Sequence, residues 1–220
     1  MKRRTLLLGA AIAPFASLLA GCNSEEKNSS KQHRNLEGKQ KAIPNVERIS
    51  NPIESLKNVD IAEFFWIGCP HCHDLEPHVI KFQKDNKLKI HKIHATLNKR
   101  WVDHAKWYYG FIEASQKNML KHSAFNKIFT EMAERKISSE DEFINSASAK
   151  LKIEPTVLSE AISSDKVKHQ VEEAKQLTAQ SGINGVPKLL IRGEYLVSMD
   201  GVKSWEDVLN RALVALNALS

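Results

Sequence analysis

The pattern of apolar and polar positions predicts a strand–helix–strand unit in the middle of the chain. Residues 59–67 form an almost continuous apolar run, typical of a buried strand, with an acidic exception at Glu63. Apolar positions then recur at helical spacing over residues 70–86, and residues 88–94 are expected to form a second strand. An acidic side chain inside a buried strand indicates a residue that packing alone does not explain.

Beyond this unit the pattern predicts a block of helices, two strands and a final helix. Helical spacing extends over about residues 100–181, and Gly182 is the expected C-cap. Residues 188–191 and 195–197 read as strands, and Ser204 is the expected N-cap of the last helix. We therefore predict an α/β fold in which a thioredoxin fold is split by a helical insertion.

The first 22 residues have the composition of an export signal. A basic start precedes an apolar stretch over residues 5–20, and the chain then reads Leu-Ala-Gly-Cys up to Cys22. This tetrapeptide resembles the bacterial lipobox, which implies that residues 1–21 are a lipoprotein signal peptide and that Cys22 carries lipid. An uncleaved membrane anchor is the alternative, although the apolar stretch is short for a spanning helix. Arg3 and Arg4 also fit a twin-arginine signal, so the export route stays open.

Residues 22–50 are predicted to form a flexible tether that begins at the lipidated cysteine. The segment is rich in Asn, Ser, Lys, Gln and Glu and holds few apolar residues. Such a composition buries too little apolar surface to offset the entropy lost on ordering. A dimerisation arm is the alternative. The folded domain is expected at residues 51–220, a length that supports one well-formed core.

The distribution of charge argues against nucleic acid as a partner. The whole chain carries a formal charge of +6, but Lys2, Arg3 and Arg4 leave with the predicted signal peptide. Residues 23–50 hold six Lys or Arg against four Glu, so the folded part is close to neutral. A near-neutral domain lacks the basic surface that nucleic-acid binding requires.

The candidate chemistry is concentrated in the sequence Cys69-Pro70-His71-Cys72, which joins the first predicted strand to the helix. A helix N-terminus offers free N–H groups and a partial positive charge, and both stabilise a thiolate relative to a thiol. Pro70 suits the first helical position because no N–H donor is needed there. The spacing therefore indicates a redox-active pair of cysteines, and Cys22 is the remaining cysteine of the three in the chain.

The segment Glu63–Cys72 reads EFFWIGCPHC and is followed downstream by Gly185-Val186-Pro187. With the helical insertion, these residues resemble the DsbA family of bacterial thiol:disulfide interchange proteins over roughly residues 55–219. The resemblance implies that the peptide bond before Pro187 is cis and that this proline faces the cysteines. It also implies that the backbone at Val186 pairs with bound substrate.

The residues of the motif take their expected roles from their positions and from this resemblance. Cys69 is expected to be the exposed nucleophile that forms mixed disulfides, and Cys72 the buried partner that resolves them. His71 is expected to support the Cys69 thiolate. A stabilised thiolate makes the disulfide a strong oxidant, a relation that DsbA itself illustrates. The Cys69–Cys72 disulfide is the expected redox group, with no further cofactor.

Three charged residues match positions near the cysteines in the family, namely Glu63, Glu76 and Lys92. They are expected to accept or relay protons around the buried Cys72. A buried or half-buried ion pair with a purely structural role is the alternative, because such a pair is costly to desolvate and is weak evidence of function.

A metal-binding cluster is a different hypothesis for the same region. His73 and His78 lie close to the three potential ligands Cys69, His71 and Cys72, which together suggest a site for a soft metal. However, His73 and His78 are five residues apart and do not share one helical face well. We therefore expect no metal ligands here.

The chain is expected to be a lipid-anchored dithiol oxidase of the bacterial cell envelope that faces the periplasm. Its expected partners are reduced exported proteins as clients, a membrane quinone-linked reoxidising protein of the DsbB type, and the membrane through the lipid on Cys22. Asn23 is not the acidic residue that signals retention in the inner membrane, which favours the outer membrane. A reductase or isomerase of the same fold and a metal-binding carrier remain as alternatives.

Overall fold

The computed structural model describes residues 43–219, which contain a five-stranded sheet. The strands are β1 Val46–Arg48, β2 Ile61–Phe65, β3 Ile90–His94, β4 Lys188–Ile191 and β5 Tyr195–Val197. Their order across the sheet is β1-β5-β4-β2-β3. Only β2 and β3 are parallel neighbours, and the other three neighbouring pairs are antiparallel.

Seven α-helices accompany the sheet in the described part of the chain. They are α1 Pro70–Asn86, α2 Lys99–Ala114, α3 Lys121–Ala133, α4 Glu140–Leu151, α5 Pro155–Ser163, α6 Asp165–Ser181 and α7 Trp205–Ala218. Helix α1 connects the parallel strands β2 and β3, and α7 follows the β4–β5 hairpin. The five helices α2–α6 lie between β3 and β4. The predicted thioredoxin fold with a helical insertion is therefore confirmed.

Alternating residues of β2 pack against different helices. Ile61 lies among apolar side chains of α1 and α7, whereas Phe64 points to the other face of the sheet and packs with residues of α6. Phe65, the last residue of β2, contributes to the apolar core of the insertion, and so do Cys69 and Cys72. The two cysteines therefore lie where the sheet meets the helical insertion.

The helix ends follow the local signals in the sequence. Ser139 is the N-cap of α4, and its hydroxyl accepts a hydrogen bond from the Glu142 N–H at 3.3 Å. Ser204 caps α7 in the same way, accepting from the Asp207 N–H at 3.2 Å. Gly182 ends α6 in the left-handed conformation, with φ +67°. These side-chain and backbone caps satisfy polar groups that a helix leaves unpaired at its ends.

The folded part begins before the predicted boundary at residue 51, and this prediction was wrong. Val46–Arg48 pairs with β5, and Ile49 and Ile53 are buried. The segment had resembled a tether because β1 is a short edge strand in which Glu47 and Arg48 remain exposed. Polar and charged residues are common on such edges, where they oppose pairing with other chains.

Two other strands are shorter than predicted, since β2 begins at Ile61 and ends at Phe65, and β3 begins at Ile90.

The predicted signal peptide over residues 1–21, the lipidated Cys22 and most of the tether lie outside the described residues. Within residues 43–219, no helix combines the length and the apolar character needed to cross a membrane.

Candidate active site

Cys69 is the N-cap of α1 and lies where the helix presents its unpaired N–H groups. Its backbone is extended, with φ −96° and ψ 116°, and Pro70 follows as the first helical residue. The Cys69 Sγ accepts a hydrogen bond from the Cys72 N–H at 3.4 Å. An oxygen of Ser, Thr, Asp or Asn usually makes this bond, so the sulfur of Cys69 here takes the place of a capping oxygen.

Cys69 is largely buried, in contrast to the exposed position expected for the nucleophile. Its exposed fraction is 7%, and Cys72 is completely buried. Part of the cover comes from the loop before β4, where the Val186 carbonyl accepts a hydrogen bond from the Cys69 Sγ at 3.8 Å. The Val186–Pro187 peptide bond is cis, as predicted. Cys69 is nevertheless the more accessible of the two sulfurs.

The two cysteines differ strongly in acidity. The hydrogen bond from the Cys72 thiol has the largest effect in lowering the pKa of Cys69 to about 6, although burial opposes this shift. Burial raises the pKa of Cys72 far above its ordinary value, and the interaction with Cys69 raises it further. The structure describes both cysteines as free thiols. At neutral pH this dithiol form therefore carries its thiolate on Cys69.

His71 supports the Cys69 thiolate through its backbone and its charge. Its N–H group and its imidazole both lower the pKa of Cys69, after the larger effects of Cys72. The side chain itself is exposed, and its ring lies 6.4 Å from the ring of Trp205 at the start of α7, at an angle of 53°. The effect of His71 on the pKa of Cys69 therefore does not require its ring to cap the sulfur.

Glu63, Lys92 and Glu76 form an ion network close to the cysteines. Glu63 and Lys92 are directly opposite each other in the register of β2 and β3. Lys92 Nζ lies 2.9 Å from Glu63 Oε2 and also contacts Glu76 Oε2. Neither carboxylate oxygen of Glu63 has a described partner in hydrogen-bond geometry, so its contact with Lys92 is an ion pair. The structure therefore brings together all three charged residues predicted from the sequence.

Burial determines the protonation behaviour of this network. It raises the pKa of the fully buried Glu63, and the positive charge of Lys92 opposes that effect only in part. The pKa of Lys92 is raised because the two carboxylates outweigh the effect of its burial. The charge of Glu63 also raises the pKa of Cys72. Glu76 and Lys92 line a cavity of about 300 Å³ between α1, β3, α2 and α3, so the ion network borders this space.

The two histidines of the metal hypothesis contact different helices. His73 Nε2 lies 3.0 Å from the Thr130 hydroxyl in α3, whereas His78 pairs with Glu206 of α7 at 2.8 Å. In the part of the chain that the structure describes, no group of three or more His, Cys, Asp or Glu side chains is arranged to hold a metal ion.

Sequence reasoning assigned no role to His94 and His104, which lie beside the loop that leads to Cys69. His94 Nε2 accepts a hydrogen bond from the Ile67 N–H at 3.3 Å. His104 Nδ1 accepts one from the Trp66 Nε1–H at 3.1 Å. The one available signal was the position of His94, at the end of a predicted strand that also holds the buried residues Ile90 and Ile93.

Known proteins share this architecture over most of the chain. The family model of the DSBA-like thioredoxin domain matches residues 60–212. Thiol:disulfide interchange protein DsbA of Pseudomonas aeruginosa is 23% identical over 163 residues, which are 73% of this chain and 76% of the relative. The protein of the same name from Azotobacter vinelandii is 25% identical over 164 residues, which are 73% and 75% of the two chains.

Solved structures agree with the fold. The crystal structure of Pseudomonas aeruginosa DsbA aligns with a TM-score of 0.67 at 21% identity, covering 79% of this chain and 91% of that one. DsbA from Proteus mirabilis, solved as a complex with a non-covalently bound peptide, aligns with a TM-score of 0.64 at 21% identity, covering 80% and 96%. The family match extends from β2, through the cysteines and the whole insertion, into α7. The chain therefore belongs to the DSBA-like thioredoxin domain family.

Proposed function

We propose that this protein donates its Cys69–Cys72 disulfide to reduced exported proteins during their oxidative folding. The chain is a thiol:disulfide oxidoreductase, as are the relatives named for that reaction. The observation that carries the oxidising direction is the position of Cys69 Sγ at the N-terminus of α1, where it accepts the Cys72 N–H. This arrangement stabilises the reduced form and so favours transfer of the disulfide to clients.

The proposed reaction exchanges one disulfide for another. A client thiolate attacks Cys69 Sγ, the bond between Cys69 and Cys72 breaks, and the electron pair of that bond remains on the Cys72 sulfur. A second client thiolate then attacks the client sulfur of the mixed disulfide, which releases Cys69 as a thiolate. Two electrons thereby pass from the client dithiol to the two cysteines. The low pKa of Cys69 makes it a good leaving group in the second step.

Cys72 requires a proton in this sequence, because its high pKa disfavours a lasting thiolate. We infer that Glu63 exchanges this proton, with Lys92 and Glu76 relaying it towards the cavity that they line. Support comes from the electrostatic effect of Glu63 on Cys72 and from the raised pKa of Glu63, which makes a neutral, proton-carrying form accessible. Pro187 and Val186 are proposed to receive the client backbone beside Cys69, since the Val186 carbonyl lies 3.8 Å from its sulfur.

We infer a location on the periplasmic side of the bacterial cell envelope, with lipid on Cys22 as the anchor. The Leu-Ala-Gly-Cys sequence supports the anchor, and residues 22–45 would then separate the lipid from β1. A membrane quinone-linked protein of the DsbB type is the proposed reoxidant, because each turnover leaves Cys69 and Cys72 reduced. Asn23 favours the outer membrane.

Clients should be trapped on Cys69 when Cys72 is removed. In Cys72→Ala the Cys69 thiolate can attack a client disulfide, which forms a mixed disulfide and releases the other client sulfur as a thiolate. No Cys72 thiol is then present to attack Cys69 Sγ and release the client, so exported clients are expected to accumulate as covalent adducts that a reductant releases. Electrophoresis without reductant, followed by mass spectrometry of the adducts, measures this. The matched variant Cys69→Ala should trap few or none. Preferential trapping by Cys69→Ala would reverse the two roles.

The stability of the reduced protein relative to the oxidised protein should increase with pH. The Cys69 pKa is about 6 in the folded dithiol form, against about 8.5 for a free thiol. Because the folded pKa is depressed, the stabilisation is complete above about pH 8.5 and is lost as the pH falls through the folded pKa. Paired denaturant melts measure the free energy of unfolding of each form. Between about pH 6 and pH 8 this free energy should increase by about 1–2 kcal/mol more for the reduced form than for the oxidised form. A difference that stays constant or shrinks over this range contradicts the oxidant assignment and favours a reductase.

The mature protein should carry lipid at Cys22. Intact-mass analysis of protein extracted from membranes is expected to show an acylated N-terminal Cys22, since several acyl chains anchor a protein stably where one does so only marginally. Cys22→Ser should move the protein from the membrane fraction to the soluble fraction while leaving Cys69 and Cys72 able to react. Unchanged membrane attachment of this variant, or a mature N-terminus elsewhere, would rule out the lipid anchor.

A further inference from the structure

The segment Trp66–Gly68, referred to here as the approach loop, connects the end of β2 to the nucleophile. It is only three residues long, so its position fixes where Cys69 enters α1. The Cys69 N–H donates to the Trp66 carbonyl at 2.9 Å, which closes the loop into a turn. The Trp66 ring folds over Gly68, where a Cβ atom would lie 2.5 Å from the ring.

Two histidines from different elements hold this loop. His94, the last residue of β3, accepts the N–H of the buried Ile67, and its own Nδ1 lies 3.0 Å from the Ala95 carbonyl. His104 in α2 accepts the indole N–H of Trp66 and stacks on the same ring, with the ring centres 5.6 Å apart. Each anchor is a ring nitrogen acting as an acceptor, which requires a neutral imidazole of one defined tautomer.

We propose that His94 and His104 are positioning residues that set the reactivity of Cys69 by fixing the approach loop. His94 fixes the backbone of the loop at Ile67, and His104 fixes the side chain of Trp66 in the same loop. Cys69 follows directly, so a change in the loop shifts its sulfur relative to the Cys72 N–H. This extends the proposed function, because the two histidines touch neither cysteine in the described contacts and act through the loop.

The environments of both rings keep them neutral. Burial lowers the pKa of His94 to about 3, and the hydrogen bond to Ala95 opposes this only in part. Burial lowers the pKa of His104 to about 4, and the nearby Arg100 lowers it further. The hydrogen bond to the Ala95 carbonyl selects the Nδ1–H tautomer of His94, which leaves Nε2 free to accept from Ile67. Neither ring is therefore available as a proton donor to the cysteines at neutral pH.

The loop also influences the second sulfur. The backbone of Trp66 hydrogen-bonds with Cys72 and lowers its pKa, against the larger opposing effect of burial. The approach loop thus contacts Cys69 through the Trp66 carbonyl, and its backbone at Trp66 also influences the pKa of Cys72. Loosening the loop should therefore alter the difference in acidity on which the redox equilibrium depends.

The test compares His94→Leu with His94→Gln, whose side-chain oxygen can still accept the Ile67 N–H. The readouts are the Cys69 thiolate pKa and the equilibrium constant with glutathione. His94→Leu is expected to lower the Cys69 ionisation constant and the oxidising equilibrium constant by about tenfold each, the effect of about one lost hydrogen bond. His94→Gln should stay within about threefold of the parent protein, as expected when the hydrogen bond is kept.

Thr178→Val is the matched control. Thr178 is also buried, and its hydroxyl accepts the N–H of Thr96 at 3.3 Å, but this bond does not hold the approach loop. Thr178→Val should lower stability without changing the Cys69 pKa. If His94→Leu folds and leaves both readouts unchanged, or if Thr178→Val changes them equally, the proposal is overturned.

A measurement on the unsubstituted protein covers the case in which His94→Leu does not fold. Nitrogen-15 NMR should show His94 as the neutral Nδ1–H tautomer, with a coupling across the hydrogen bond between the Ile67 nitrogen and His94 Nε2. The same method should show His104 with its proton on Nε2. The opposite tautomer at His94, or a charged ring at neutral pH, would overturn the proposal whether or not clients are oxidised.

Discussion

The site depends on the stabilisation of the Cys69 sulfur at the N-terminus of α1. The hydrogen bond from the Cys72 thiol lowers the pKa of Cys69 most, and the backbone N–H groups of Cys72 and His71 at the helix end lower it further. The sulfur accepts the Cys72 N–H at 3.4 Å in the position where a capping oxygen would normally lie. Because a capping group is favoured more strongly when it is charged, the helix end stabilises the thiolate and not the thiol. The same interaction makes Cys69 a good leaving group and makes the disulfide oxidising.

The other residues of the site are best understood from the unequal acidity of the two cysteines. Cys72 is completely buried and holds its proton, so the cleavage of its disulfide needs a proton source in the interior. Glu63 is a costly residue for a central strand, because a buried carboxylate loses hydration that a single ion pair with Lys92 does not fully replace. The proposed exchange of a proton with Cys72 would give that cost a functional explanation, and it is supported by the electrostatic effect of Glu63 on the pKa of Cys72. The insertion contributes by excluding water from both sulfurs.

Local patterns predicted the features that depend on neighbouring residues. The bounds of α1, the cap at Ser204 and the position of Cys69 at a helix start follow from short-range signals. The features that were missed arise from contacts between residues far apart in sequence. The strand Val46–Arg48 exists through its pairing with β5, and Cys69 is covered in part by Val186, 117 residues away. The histidines that hold the approach loop are likewise recognisable only once β3 and α2 are placed beside it.

The most direct test of this account is a pH titration of the thiolate absorbance in the reduced protein. The account predicts that one thiolate forms with a midpoint near the Cys69 pKa of about 6. The second cysteine should remain protonated beyond the range of an ordinary thiol, about pH 8.5. Alkylation followed by mass mapping identifies which sulfur has ionised. Two thiols that ionise together near pH 8.5, or a first ionisation at Cys72, would contradict the central role of the helix N-terminus.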